Sequence, residues 1–520
     1  MVDDAAKNEL IRRRLVSGTF YNYTTQIVTL AIGFFLTPFI LNHLGAAQYG
    51  LWILVGSFVT YGQLLDLGIT SAVIKYTPEF LARGETGQTQ KLIATALQIY
   101  GGVGVLAILI SVAIAPVFPT LFNVPADEQA TATWVVLVMG IIVGIELPGL
   151  TVYSVLRGLQ RHDLLNLLNI TSTLLIALST IVVLLLGGNL LAMLLLNLPI
   201  IVLMQVPAII MVNRLVPGLK FTWRGANRQM VRQIVGFSSS IFVTQVGGRL
   251  QTRTDEFVIS AVLPISAVTP YSIARRLSEI SQTFTVQFMK VLMPLASELH
   301  AEADMERLRS LYKHSSRLAL VLFLPFGIVL TMLAREVLTL WVGPAYAGYD
   351  YLVLILTLNG LVLMSQWPAG SLLQGIARHR LLAFTSLGSG LVNVVLSIIL
   401  VQPFGLTGVA LGSLIPTTLE CFCFILPFSM RVIGISLLEM VREVFLPGLL
   451  PAVPTVIILY LLEQWLAPTS LLLTGVVAGC GVLIYLAGYL SLGASKSERQ
   501  TCRNFVLGTL QFLSVRKLRL

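Results

Sequence analysis

The densest group of charged residues in an apolar part of the chain lies between residues 247 and 256. Arg249, Arg253 and Glu256 are spaced four and three residues apart, so they share one face of a helix. Asp255 lies roughly a quarter-turn away on that helix. Guanidinium groups shielded from bulk water bind phosphate groups strongly, through paired hydrogen bonds. The segment predicts either a cavity wall with surplus positive charge or an internal stripe of salt bridges.

A second basic group lies in the next apolar segment. Arg275 and Arg276 are near one end of it and Lys290 is near the other. Arg276 and Lys290 would be about 21 Å apart along a helix, with Arg249 and Arg253 between them in depth. Such a series suits an anionic group handed across a membrane, although Arg275 and Arg276 could instead snorkel to the outer surface. The predicted cationic set is Arg249, Arg253, Arg275, Arg276, Lys290 and Lys75.

Carboxylates within apolar segments are candidates for ion coupling. A carboxylate taken out of water is a natural site for a proton or another cation. Asp66, Asp255 and Glu256 are the predicted coupling residues, with H+ or Na+ as the ion. Glu146 and Glu420 are further acids in apolar segments, for which a hydrogen-bonded structural role is at least as good an explanation.

The composition places these charges in a membrane protein. Of the 520 residues, 56% are hydrophobic and 11% are charged, against about 25% charged in an average soluble domain. The mean hydropathy is +0.86. These values exclude a soluble globular enzyme, a disordered chain and a disulfide-stapled secreted module. In so apolar a chain, the formal charge of +10 indicates membrane lipid headgroups as partners and no nucleic acid.

Apolar stretches of about 20 residues, the length that crosses a bilayer as a helix, occur about fourteen times. They are much longer than the roughly ten-residue strands of a membrane barrel. The predicted fold is therefore an all-α polytopic membrane protein, whose first span is a retained signal-anchor. The predicted spans are residues 18–42, 49–72, 92–118, 132–156, 166–187, 190–213, 236–262, 269–297, 317–342, 349–374, 381–402, 406–430, 442–465 and 469–492.

The loops fix the orientation and exclude most enzyme classes. Outside the spans, every Lys and Arg except Arg335 falls on the side that holds both termini, which predicts cytoplasmic termini. The longest outer loop, Ala334–Gly348, cannot house a catalytic domain such as a membrane-embedded glycosyltransferase would need. Nucleotide-binding, zinc-protease and serine-hydrolase motifs are absent from the sequence, and its histidines and cysteines form no ligand cluster. We therefore expect a transporter without a metal or cofactor.

The two halves of the sequence resemble each other. Gly158-Leu159-Gln160-Arg161-His162 follows the fourth span, and Gly375-Ile376-Ala377-Arg378-His379 follows the tenth, at an offset of 375 − 158 = 217. Six spans per copy is an even number, so the copies would be parallel repeats about an axis along the membrane normal. The predicted parts are an N-terminal lobe (1–213), a basic cytoplasmic linker (214–235), a C-terminal lobe (236–430), two extra spans (431–493) and a basic cytoplasmic tail (494–520).

Short motifs recur throughout the chain. They are Leu44-Gly45, Tyr49–Trp52, Leu65–Ile69, Gly158–Arg161 with Asn166 and Asn169, and Gly375 with Asn393 and Gly405–Ala410. These motifs resemble those of polysaccharide exporters. The chain is similar to lipid-linked oligosaccharide flippases of the O-antigen type, in a superfamily that also holds multidrug extruders and lipid II flippases. The resemblance identifies the class better than the substrate.

The resemblance implies a fold and a function. Two six-helix lobes would form a V around a cationic cavity, with two extra helices behind. The cavity would carry the head group of an undecaprenyl-diphosphate-linked sugar from the cytoplasm to the periplasm of a bacterial inner membrane, for lipopolysaccharide or other surface glycans, with polysaccharide assembly proteins as partners. Lipid II flippases carry basic residues, and proton-coupled multidrug extruders often an acid, inside the first helix. Residues 16–41 hold neither, which favours oligosaccharide export, with a lipid II flippase and a cation-coupled multidrug antiporter as alternatives.

Overall fold

The computed structural model describes residues 2–236, 246, 249, 254–289, 292–378, 380–496 and 498–500, with backbone alone for residues 2–24, 59, 63 and 284. All regular elements in these residues are helical. Ten of the described helices are long and apolar enough to cross a membrane. The predicted all-α polytopic membrane protein is confirmed. The number of fourteen spans, the six-span repeat and the V-shaped pair of lobes stay predictions.

The chain forms two compact units. The first holds residues 1–269 and 401–405, and the second holds residues 270–400 and 406–520. The division of the sequence into lobes at a basic linker stays a prediction. The first unit contains α1 (Val2–Gly62), α2 (Ile69–Ala82), α3 (Thr86–Ile114), α4 (Phe118–Leu121), α5 (Gln129–Gly158), α6 (His162–Leu185), α7 (Leu190–Leu215) and α8 (Asp255–Val262).

The remaining helices belong wholly or largely to the second unit. They are α9 (Val268–Met289), α10 (Leu292–Ala301), α11 (Met305–Met332), α12 (Ala334–Trp341), α13 (Asp350–Gly375), α14 (Arg380–Leu419), α15 (Leu426–Ile433), α16 (Leu437–Met440), α17 (Leu446–Leu449), α18 (Ala452–Leu466) and α19 (Leu471–Gly488). Short 3₁₀ turns at Gln63–Asp66, Ala126–Glu128, Ile265–Ala267 and Pro344–Tyr349, and π-helical turns at Glu420–Ile425, Val441–Phe445 and Tyr489–Gly493, connect or extend them.

Two of the long helices each cover two predicted spans. α1 changes direction at Gly45, where φ is 73°, and α14 does so at Gly405, where φ is 56°. Glycine adopts such positive φ values without the steric cost that a Cβ atom imposes. A stretch of 42 residues, Thr25–Asp66, would be about 63 Å long if it were straight, roughly twice the hydrocarbon thickness of a bilayer.

Small residues bring α3 and α5 into close contact. An added Cβ on Gly104 would lie 2.7 Å from the Gly144 carbonyl oxygen, and one on Gly140 would lie 2.3 Å from Ser111 Cβ. Gly140 and Gly144 are four residues apart, the spacing that lets membrane helices approach closely. In lipid, packing of this kind replaces the hydrophobic effect as the source of helix association.

The predicted linker is folded against the N-terminal half of α3. The Gln90 amide oxygen accepts a hydrogen bond from the Lys220 backbone N–H at 2.8 Å, and Gln98 Nε2 donates to the Trp223 carbonyl at 2.5 Å. The Trp223 ring lies directly on Gly101, where an added Cβ would be 2.3 Å from the indole. We call residues 220–227 the strap.

The turns of the proposed repeat have the same local structure. α5 ends at Gly158 and α13 ends at Gly375. The next positive φ values fall at Gln160 and Ala377, again 377 − 160 = 217 residues apart. In both turns the N–H of the following arginine returns to a carbonyl five residues earlier, at 3.0 Å for Arg161 and at 2.8 Å for Arg378. This likeness concerns these two turns, and the six-span repeat stays a prediction.

Candidate functional site

The predicted cationic residues are divided between the two units. Arg249 is half-buried in the first unit, whereas Arg275 and Arg276 are half-buried on α9 in the second. Arg253 and Lys290 lie outside the described residues. The predicted cavity therefore stays a prediction, and each unit is described by itself.

Among the long helices, α9 stands apart because half of its 22 residues are polar or charged. It is absent from the helices apolar enough to cross a membrane, although the sequence predicts a span over residues 269–297. Its half-exposed or exposed side carries Arg276, Glu279, Thr283 and Gln287, spaced by three or four residues, and Arg275 pairs with Glu279 at 3.7 Å. This side offers positive charge and uncharged hydrogen-bonding groups in sequence along about 16 Å of helix.

The buried side of α9 is also polar. Ser278, Ser281 and Thr285 are at most 1% exposed. Among the described atoms, Ser278 Oγ and Thr285 Oγ1 have no hydrogen-bond partner. The Gln282 amide of α9 packs against α13, and its Nε2 lies 2.8 Å from the position that a Cβ on Gly360 would take. Buried hydroxyls without protein partners normally bind ordered water, so we expect α9 to be hydrated within the second unit.

In the first unit, the segment that holds Arg249 leads into α8. The Tyr61 hydroxyl lies 2.6 Å from Thr254 Oγ1 and donates to the Arg249 carbonyl at 3.3 Å. Asp255 and Glu256, two predicted coupling residues, are buried in the first turn of α8. A carboxylate at this end of a helix is stabilised by the unpaired backbone N–H groups and the helix dipole.

Lys75 and Asp66 lie close together in sequence but have different surroundings. Lys75 is exposed on α2, with its ammonium 4.7 Å from the centre of the Tyr76 ring. Asp66 is buried and accepts hydrogen bonds from the Tyr100 hydroxyl and, at 2.9 Å, from the Thr70 backbone N–H. The second predicted span, residues 49–72, is broken here, because Leu67 and Gly68 have φ values of 51° and 77°. Asp66 therefore anchors the start of α2.

Glu146 is a carboxylate that the sequence singled out only weakly. It is half-buried in the middle of α5. Among the described residues its carboxylate has no hydrogen bond and no ion pair. Three residues later, Gly149 packs against the Gln205 amide of α7. The Gln205 Oε1 atom is buried and has no hydrogen-bond partner in the described part of the chain. The acid before Pro148-Gly149 was visible in the sequence, but its lack of a partner was not.

Metal binding has no support in the described ranges. No group of three or more His, Cys, Asp or Glu side chains there could hold a metal ion. Cys421 is buried, and Cys423 and Cys480 are exposed, all three as free thiols.

These features define a multi-pass helical membrane protein with charged and polar groups in its helices. A family model described as "Polysaccharide biosynthesis protein" matches residues 43–351, more than half of the chain. The chain belongs to this family. The resemblance to polysaccharide exporters is therefore confirmed.

Two relatives and one solved structure are informative. The uncharacterized membrane protein EpsK of Bacillus subtilis is 23% identical over 499 residues, 92% of this chain and 95% of that protein. The probable low-salt glycan biosynthesis flippase Agl15 of Haloferax volcanii is 22% identical over 182 residues, 35% of this chain and 39% of that one. The lipid II flippase MurJ, in an inward closed conformation, matches with a TM-score of 0.71 and 15% identity over 91% of this chain and 98% of that one. At this identity the structural match shows a shared fold alone.

Proposed function

We propose that the protein is a flippase that moves a lipid-linked oligosaccharide, carried on undecaprenyl diphosphate, from the cytoplasmic to the outer leaflet by alternating access. Its membership of the polysaccharide biosynthesis family and its similarity to a probable glycan flippase support a flippase role. The observation that carries the substrate class is the polar, half-exposed side of α9.

The chemistry of the substrate matches this side of α9. A diphosphate needs cationic donors to replace its water of hydration, and arginine binds phosphate oxygens through two parallel N–H groups. The sugar units need uncharged donors and acceptors, which Thr283 and Gln287 supply further along the helix. Arg275 and Arg276 would bind the diphosphate, and the lipid tail would stay in the bilayer.

Orientation and partners follow from the same proposal. Since the basic loops lie on one side, both termini would face the cytoplasm of a bacterial inner membrane. Glycosyltransferases on that side would supply the substrate. Polysaccharide assembly proteins on the outer side, such as those of O-antigen and lipopolysaccharide synthesis, would consume the product.

A lipid II flippase is the second candidate, because the similarity to MurJ extends over most of both chains. The two candidates differ in their effect on cells. A lipid II flippase would rescue growth when the resident lipid II flippase is depleted, whereas an oligosaccharide flippase would restore surface glycan without rescuing growth. A multidrug antiporter would instead raise resistance to cationic dyes.

The test uses a strain whose surface glycan depends on a plasmid copy of this gene. Replacing Arg275 and Arg276 by Gln should abolish surface glycan at unchanged protein level, and Lys at both positions should restore part of it. Glu279→Gln removes the partner of Arg275 and leaves both arginines, so it separates charge from the ion pair. Arg335→Gln, an exposed change in the outer loop, is the matched control and should have no effect. Normal surface glycan in the double Gln variant would overturn the proposal.

A further inference from the structure

Four acids lie in the membrane-spanning part of the first unit, and their surroundings differ. Asp66 accepts from Tyr100 and from the Thr70 backbone. Asp255 and Glu256 are buried in the first turn of α8 and have partners. Of these four acids, Glu146 is the one whose carboxylate has no hydrogen bond and no ion pair within the described residues. A charged group at the centre of a bilayer costs about 2.5–3.5 kcal/mol on insertion scales, so an acid kept there without a partner must be neutralised by something else.

A buried oxygen without a partner lies near Glu146. Gln205 Oε1 lies against Gly149, three residues after Glu146 on α5, and has no hydrogen-bond partner in the described part of the chain. A proton or a cation between the Glu146 carboxylate and this oxygen would satisfy both.

The neighbouring helices bring no counter-charge to this place. On α5 itself, Tyr153 is close enough for the Glu146 charge to act on its phenol. Asp163 is already paired with Arg161 at 2.8 Å, at the cytoplasmic start of α6. The other ionisable groups with described side chains on α5 and the α-helices packed against it are His43, Tyr49 and Tyr61 of α1, Asp66 before α2, Lys75, Tyr76 and Glu79 of α2, Lys91 and Tyr100 of α3, Arg157 of α5, His162 of α6 and Arg214 at the end of α7. None of them forms an ion pair with Glu146 in the described structure.

A cleft leads along α5 toward Glu146. It has a volume of about 240 Å³ and is lined by Met139, Gly140 and Val143 of α5, with Tyr61 and Ser111 opposite. Glu146 lies three residues beyond Val143 and seven beyond Met139, so it continues this lined face one turn further along α5. By the predicted topology, the cleft lies on the extracytoplasmic side of Glu146.

We propose that Glu146 is the cation-binding residue of the first unit and that the ion is H+ or Na+. If the ion is a proton, the carboxylate becomes a neutral acid whose O–H donates to an acceptor such as Gln205 Oε1. If it is Na+, the carboxylate and the Gln205 amide oxygen are its protein ligands. A role in driving export rests on the proposed flippase function, but the binding itself does not. Asp66 has a structural role in this assignment.

The experiment measures binding on the full chain in liposomes, without glycan. Infrared difference spectra between acidic and neutral pH contain C=O bands from every carboxyl group that is protonated in acid, so the contribution of Glu146 is the difference between the wild-type and Glu146→Gln spectra. This difference should contain the C=O band of one protonated carboxylic acid, and Gln205→Leu should weaken proton binding at this band about tenfold by removing one hydrogen bond. Asp66→Asn is the matched control and should leave the band intact.

The sodium arm uses thermal unfolding in NaCl and in KCl at equal ionic strength. Stabilisation specific to Na+ that is lost in Glu146→Gln would identify Na+ as the ion. If the wild type shows neither an acid band nor specific stabilisation by Na+, or if Glu146→Gln leaves both unchanged, the proposal is overturned. Neither result bears on flipping. Conversely, normal export by the Arg275 and Arg276 variants would overturn the flippase proposal and leave cation binding intact.

Discussion

Arg317 Nη2 donates to Glu498 Oε1 at 2.5 Å, which ties α11 to the segment that follows the last apolar helix. Only 10% of the Arg317 side chain and 26% of the Glu498 side chain are exposed. Glu498 also accepts from the Ser495 backbone N–H at 2.8 Å, and Ser495 Oγ accepts from the Glu498 N–H at 3.3 Å. This reciprocal pair is a capping box for the helical turn at residues 498–500, and Arg317 fixes its position.

Two more basic residues on the same face of α11 hold the preceding segments. Arg309 Nε donates to the Ile433 carbonyl at 2.8 Å, and Lys313 lies 2.9 Å from Glu443. Arg309, Lys313 and Arg317 are spaced by four residues, so one helix face binds three successive segments of the second unit. Basic residues that the orientation rule assigns to the cytoplasm thus also organise the second unit.

Replacing Glu498 by Gln should destabilise the second unit by about 2 kcal/mol, the range for a hydrogen bond between charged groups. Burial raises the pKa of Glu498, but the Ser495 N–H and the Arg317 guanidinium outweigh it and hold that pKa below its ordinary value. The stabilisation is therefore complete above the unfolded pKa of about 4.3 and is lost as the pH falls through the lower folded value. Thermal unfolding in detergent at a series of pH values measures the difference between variant and wild type.

The matched control for this pair is Glu302→Gln, a change at an exposed acid after α10. It should leave the unfolding midpoint unchanged at all pH values. A difference between Glu498→Gln and wild type that persists undiminished in acid would show that the effect does not come from the charge of Glu498.

Asp66→Ala should destabilise the first unit, because the Tyr100 hydroxyl and the Thr70 N–H would lose their shared acceptor. Two hydrogen bonds to a buried carboxylate suggest a loss of about 3 kcal/mol. Asp66→Asn keeps an acceptor and should cost less, with export retained. Stability and surface glycan are the two measurements. A stable Asp66→Asn protein that exports no glycan would restore Asp66 as a coupling residue.

The long apolar helices could be predicted because each depends on a local property, a run of about 20 apolar residues. The break after Gly62 could not, because residues 49–72 are apolar enough to predict one continuous span. The break depends on positive φ at Leu67 and Gly68, held by Asp66. Its other donor, Tyr100, is 34 residues away on α3, and no spacing rule pairs the two.

The candidate site shows the same division. Charged residues in apolar segments are visible in the sequence, and Arg275, Arg276 and Glu146 were found in this way. Whether an acid has a partner depends on packing, so the sequence could not distinguish Asp66, which accepts two hydrogen bonds, from Glu146, which accepts none within the described residues. The assignment of ion coupling to Asp66, Asp255 and Glu256 stays a prediction. The ion pair of Glu498 was equally hidden, because its partner Arg317 is 181 residues away.

Gly104→Ala should weaken the contact of α3 with α5. The new Cβ would lie 2.7 Å from the Gly144 carbonyl oxygen, so the two backbones must separate. Overpacking of this kind costs about 1–3 kcal/mol. Gly102→Ala is the matched control on the same helix, because its Cβ would meet nothing within 4 Å. It should be neutral or stabilise the helix by about 0.5–1 kcal/mol. Equal unfolding midpoints for the two variants in detergent would contradict close packing at Gly104.

The contact of the strap with α3 can be tested independently of transport. Gly101→Ala would place a Cβ 2.3 Å from the Trp223 ring and should displace it, whereas Gly102→Ala, one residue further, should not. Since Gln98 also holds the Trp223 carbonyl, displacement of the ring should loosen residues 220–227 as a group. Trypsin would then cleave after Arg224 or Arg228 about tenfold faster. The cleavage rate follows the population of the detached strap, and a shift of about 1.4 kcal/mol in the equilibrium between attached and detached strap changes that population tenfold. The cleavage rate of the strap in detergent, followed on gels, is the measurement. Equal rates in Gly101→Ala and Gly102→Ala would mean that the contact with Trp223 does not hold the strap, and Gln90→Ala would then show whether its hydrogen bonds do.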